Sequence, residues 1–109
     1  MLNQYQKAEI VADALEEASP QLLAQLAESG ELKAKFEERV SAFNLELVRR
    51  MENLPENRYL EVEESLLPML TEFPKSPNQQ PLSLSQRQKV LQNLAKWEES
   101  QPPPVEVPA

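Results

Sequence analysis

Apolar residues recur at helical spacing along much of the chain, and the longest such run lies between residues 31 and 53. With successive residues about 100° apart around a helix axis, Leu32, Phe36, Val40, Phe43, Leu47, Met51 and Leu54 share an arc of about 100°, the width of a core-facing stripe. The same run carries a second apolar line. Leu45 points away from the stripe, Val48 lies about 60° from Leu45, Ser41 falls between them and Ala34 beside them. A single outward leucine is ordinary, but a leucine with a valine framed by small residues is a contact line. It is either a docking surface or the far wall of a core wrapped round the helix. Ala34, Ser41, Leu45 and Val48 are therefore the candidate partner-binding residues. On the flanks, Glu31 is expected to pair with Lys35, Glu46 with Arg50 and Arg49 with Glu52.

Residues 3–18 predict a first helix, with Val11, Leu15 and Ala18 on one face beside Ala8 and Ala14. Glu9, Asp13, Glu16 and Glu17 fall outside. Pro20 disfavours helical geometry at Ser19 and suits the first position of a new helix, which the Ser19 side chain is expected to cap. Leu22, Leu23 and Leu26 supply the inner side of that second helix. Gly30, the one glycine in the chain, is expected just past its end in the left-handed conformation, and Glu31 favours the start of the long third helix. In residues 55–73, "RYLEVE" alternates as a strand would, yet one isolated strand has no partner. A helix broken at Pro68 is the better reading, with Ser65 capping the new start and Tyr59, Val62, Leu66, Met69, Leu70 and Phe73 facing inward.

"PKSPNQQPLS" is a proline-rich loop. Ser83 with Gln86, or Ser85 with Gln88, has capping-box spacing for a last helix reaching Glu99. Val90, Leu91, Leu94 and Trp97 line one side of it, and Trp97 reads as a core anchor. The prolines at 102–104 favour an extended form. The expectation is an all-α bundle of four to five helices over residues 1–99, with residues 100–109 a flexible, disordered proline-rich tail.

Charge narrows the function classes. The chain has 109 residues, with 11 basic and 18 acidic side chains and a net charge of -7. Both halves share the excess, and no basic arm exists, so direct nucleic-acid binding and anionic membrane surfaces are disfavoured. Arg49 and Arg50, with Arg39 earlier on the same helix, are the one local basic feature and read as ion-paired. There is no cysteine and no histidine, which removes thiolate chemistry and the commonest general base and metal ligand. The serines and Thr71 have no G-x-S-x-G or S-x-x-K setting. The acidic groups Glu16/Glu17, Glu37/Glu38, Glu61/Glu63/Glu64 and Glu98/Glu99 are scattered and read as solvated helix faces. No enzyme activity, cofactor or metal is expected. "MLNQYQKAEI" lacks the pattern of a signal peptide, and no apolar run nears the ~20 residues of a membrane span. A soluble cytoplasmic protein is expected.

The segment "LLAQLAESGELKAKFEERVSAFNLELVRRMENL" resembles part of the TnpV family of transposon-encoded small proteins. Those proteins also show a Leu-rich helix, a Ser-Gly-x-Leu break and a long amphipathic helix ending in a basic pair and a methionine. The matching positions here are Leu23, Leu26, Ser29, Gly30, Leu32, Phe36, Leu47, Val48 and Met51, about a third of the chain. The resemblance implies a phage or mobile-element setting. The functional expectation is a non-enzymatic adaptor or assembly protein that binds a protein partner through residues 31–53, as a homodimer. The alternative is an acidic inhibitor that blocks a basic nucleic-acid-binding site.

Overall fold

The computed structural model describes residues 2–101. These residues form α1 (Gln4–Ala18), α2 (Pro20–Ser29), α3 (Leu32–Met51), a 3₁₀ turn (Glu56–Arg58), α4 (Tyr59–Leu66), the single turn α5 (Pro68–Thr71) and α6 (Leu84–Ser100). The fold is all-α, as the periodicity predicts, and no strand occurs among the described residues. "RYLEVE" is helical. Its alternation finds no neighbouring strand, whereas helical winding puts Val62, Leu66 and Leu70 into the core. The last helix extends through Ser100, one residue beyond the expected boundary. Of the tail expected at 100–109, Ser100 is therefore helical, and residues 102–109 lie outside the described residues.

Local chemistry sets the element boundaries. Asn3 caps α1 with a reciprocal box: its side chain accepts from the Gln6 amide at 2.7 Å, and Gln6 Oε1 accepts from the Asn3 amide at 2.9 Å. Ser83 and Gln86 build the same box at α6, so Ser83 rather than Ser85 begins that helix. Ser19 does not cap with its hydroxyl. At φ -159° and ψ 80° it closes α1 and opens α2 with its backbone, donating to Leu15 O at 2.7 Å and accepting from the Leu22 and Leu23 amides. Ser65 is not a cap either: its hydroxyl donates to Val62 O inside α4, and Leu67 precedes α5.

Gly30 has φ 81° and ends α2 in the left-handed region. A Cβ built there meets nothing within 4 Å, so the conformation and not crowding demands glycine. Gly30→Ala is expected to cost about 1 kcal/mol, read as a lower urea midpoint at unchanged slope, with Gly30→Asn costing less. Equal midpoints for the alanine variant and the wild type would remove Gly30 from the determinants of this fold.

The core lies between α1, α2, α3 and α6. Ala8, Val11, Leu15, Leu23, Leu32, Phe36, Val40, Phe43, Leu47, Leu94 and Trp97 are buried in one cluster, with Val62, Leu66 and Leu70 closing it from α4 and α5. Trp97 meets Phe36 edge to face, with centroids 5.9 Å apart and planes at 70°. Its indole N–H donates to Gln4 O at 3.0 Å, tying α6 to the start of α1. Three leucines expected inside are not. Leu22 is 43% exposed and Leu91 56% exposed, because Ala24 and Ala27 face the core in α2 and Asn93 does so in α6. Asn93 Nδ2 donates to Ala27 O across that contact. Leu54 is 39% exposed because α3 stops at Met51 and the wheel no longer applies.

The proline-rich connector, residues 72–83, crosses the α1–α2 corner. Pro20 has no amide hydrogen, and the chain turns at Ser19, which leaves the Ala18 carbonyl without a helical donor. The Ser76 amide supplies one at 2.9 Å and the Gln79 side chain another at 3.0 Å. Gln21 Nε2 donates to Gln80 O, which ties the loop to α2 as well as to α1, and Gln86 Nε2 donates to Gln21 Oε1, joining α6 to α2 beside it.

Candidate functional site

α3 touches the rest of the protein along one face only. Leu32, Phe36, Val40, Phe43 and Leu47 are buried, and Met51 is half-buried. On the other side Ala34, Ser41, Leu45 and Val48 are all exposed, Leu45 at 74% and Val48 at 57%. The described residues place no second wall over them. The four candidates therefore lie on one surface, and Glu38 and Glu52 complete the row at alternating spacings of four and three. That spacing is the seam along which one helix accepts another. The small residues Ala34, Ser41 and Ala42 leave room for close approach.

Charges frame this row: the expected Glu46–Arg50 pair forms, and the other two pairings differ from those expected. Glu46 Oε1 accepts from both Arg49 Nη2 and Arg50 Nε at 2.9 Å. Hydrogen bonds from the two guanidinium groups hold the Glu46 carboxyl below the usual carboxylate range, and the carboxylate in turn raises Arg49. Arg49 thus pairs with Glu46 and not Glu52, because the i−3 carboxylate is already ordered by Arg50. Lys35 pairs forward with Glu38 at 3.1 Å and not back with Glu31, which precedes the first helical residue. The Ser41 hydroxyl donates to Glu37 Oε1 at 3.0 Å. Arg39 is separate from this group: its guanidinium donates to Met69 O and lies 4.3 Å from the centre of the Phe73 ring, fixing the end of α5.

A second polar grouping lies inside the fold, where charge patterning did not place it. Lys7 and Glu63 are both buried. Lys7 Nζ donates to Asn44 Oδ1 at 2.6 Å and sits 5.3 Å from the Phe43 ring centre. Asn44 Nδ2 donates to Gln4 Oε1 at 3.1 Å, and the Leu2 amide donates to both Glu63 oxygens, the shorter contact being 3.0 Å. Burial pushes the Lys7 ammonium below its ordinary 10.5, and the Glu63 charge partly restores it. Glu63 was expected on a solvated face. The sequence signal for Lys7 was present, since position 7 falls on the same helical arc as Val11 and Ala18. The grouping clasps α1, α3 and α4 together, and among the described residues every fully buried side-chain nitrogen or oxygen has a partner. The side chain is buried, and its hydrogen bond to Asn44 suits a structural clasp.

Among the described residues no three acidic side chains converge as a metal site, and no helix is long and apolar enough to cross a membrane. The other acidic groups stand apart on α1, α3, α4 and α6. Trp97 is wholly a core residue and contributes nothing to the α3 surface. No protein family, curated protein or solved structure matches this chain.

Proposed function

We propose that this is a non-enzymatic interaction protein of the adaptor or assembly kind, which docks a helix of a protein partner along the outer row of α3. The supporting observation is the exposure of Leu45 and Val48 on a 20-residue helix whose opposite face is fully committed to the core. Two side chains fall well short of the roughly 800 Å² per partner that a stable interface buries. The docking helix must therefore run the length of residues 34–52, about 27 Å, and also cover Ala34, Ser41, Ala42 and the aliphatic stems of Glu38 and Arg49. A second copy of the chain is the first partner in view, because a two-fold axis lets one such row pack against the same row of its copy. The resemblance to TnpV would set this activity in a phage or mobile element.

Sedimentation equilibrium up to about 0.1 mM protein covers dimers of the modest affinity that so small a seam supports. The wild type should associate, and Leu45→Glu with Val48→Glu should weaken the association by about tenfold or more, because two carboxylates enter an apolar contact. The double variant should keep its unfolding free energy, read by urea, within about 0.5 kcal/mol of the wild type, as both positions are solvent-facing. A wild type that stays monomeric, or a variant that associates as tightly as the wild type, would overturn the assignment of α3 as the self-docking surface.

A further inference from the structure

A different surface carries a second site. An open groove of about 480 Å³ runs between α1 and the chain leaving α5. Ile10, Ala14, Ala18 and Phe73 give it apolar lining, and Asp13, Glu17 and Lys75 line it as well, the two acids a helical turn apart on α1. The size falls within the range of pockets that hold ligands. Neither Asp13 nor Glu17 has an ion-pair partner within 4.0 Å among the described residues, and Lys75 has none either. Glu16, next to Asp13, is engaged instead by Arg87 at 2.7 Å.

We infer that this groove docks a basic, apolar segment of a partner protein, with an arginine or lysine held between Asp13 and Glu17 and a neighbouring apolar side chain on Ile10, Ala14 and Phe73. Charge complementarity selects this occupant. The two carboxylates have no ion-pair partner among the described residues and stand beside apolar side chains, so a cation with an apolar neighbour finds both contacts in one groove. The Asp13 carboxyl is pushed above its ordinary range by partial burial and then by Glu16, so a positive neighbour would relieve a strained charge. Phe73 already carries one guanidinium, that of Arg39, over its ring. The net charge of -7 draws basic partners and repels phosphates. The inference does not depend on the α3 reading, and the two can fail separately.

The probe is a capped Arg-Leu-Leu-Arg peptide, with Glu-Leu-Leu-Glu as its control, titrated into full-length ¹⁵N-labelled protein. Amide shifts should move along residues 10–18 and 71–75 and leave residues 34–52 in place. Asp13→Asn with Glu17→Gln should weaken the basic peptide about fivefold, as expected for two partly exposed ion pairs. Lys75→Gln should tighten it, since the resident cation competes, and raising NaCl from about 50 mM to about 300 mM should weaken it. All three positions are exposed, so the variants should keep the wild-type circular dichroism. Shifts centred on α3, equal binding of the acidic peptide, an effect of Mg²⁺ alone at the same amides without one of the peptide, or an affinity unmoved by the double variant would each overturn the proposal.

Discussion

Trp97→Ala should remove about 3–5 kcal/mol of unfolding free energy, the range for truncating a buried tryptophan. A domain of this size holds about 5–15 kcal/mol in total, so the substitution removes between about a fifth and all of the stability at 25 °C. The loss has three parts. The indole fills the centre of the core against Phe36, so its removal leaves a cavity in a region already closed by α1, α3 and α6. The edge-to-face contact disappears with it. The hydrogen bond to Gln4 O, which fixes α6 against the first turn of α1, disappears too. Trp97→Phe should cost about half as much, because it keeps a ring beside Phe36 and loses the N–H donor. Urea unfolding followed by circular dichroism separates the cases. A Trp97→Ala midpoint within experimental error of the wild type would mean that α6 does not pack as described.

Glu63→Leu should destabilise by about 3 kcal/mol, the lower end of the range for removing one member of a buried charged pair, because Glu63 faces Lys7 without touching it. The substitution leaves the Lys7 ammonium buried beside Phe43 with Asn44 as its hydrogen-bond partner, and it strips the Leu2 amide of its acceptor. Adding Lys7→Met should recover most of the loss, and a double-mutant cycle measures the coupling directly. Alkaline pH gives a second reading. The folded pKa of Lys7 lies below 10.5, so between that folded value and 10.5 the unfolded chain binds more protons than the folded one. Stability from this group is then fully present above 10.5 and is lost as pH falls through the folded pKa. The difference in stability between the wild type and Lys7→Met should follow that window, and Glu63→Leu should move it to lower pH. A difference that stays flat across the window would show that Lys7 is not enclosed.

The boundaries that the sequence announced were those decided by neighbours in the chain. Pro20, Gly30 and the Ser83–Gln86 box act within a few residues, and each stands where local chemistry puts it. The α3 stripe was legible for the same reason, since Phe36, Val40, Phe43 and Leu47 need only a common face. Leu22 and Leu91 were misplaced because helical spacing names an apolar arc without saying which part of it another helix covers. Position 7 lies on the buried arc of α1 and so was legible as an inward site, whereas the burial of Glu63 depends on Lys7 and Leu2, at least 56 positions away, which no window along the chain can reveal. The outer row of α3 sits between these cases. Its residues were readable from the wheel, and only the packed fold distinguishes a free surface from a second wall. The α1–α5 groove had no sequence signal at all, because Phe73 and Lys75 reach it only through the break at Pro68 and the connector that follows.

The contact between Trp97 and Gln4 joins residues 93 positions apart. A growing chain on the ribosome can wind α1, α2 and α3 early, since each needs only its own hydrogen bonds and caps. It cannot bury Phe36 behind an aromatic partner until residue 97 has left the exit tunnel. For as long as translation lags, the inner stripe of α3 stays open to solvent alongside its outer row, and the nascent chain shows chaperones a hydrophobic helix on two sides where the finished protein shows only one.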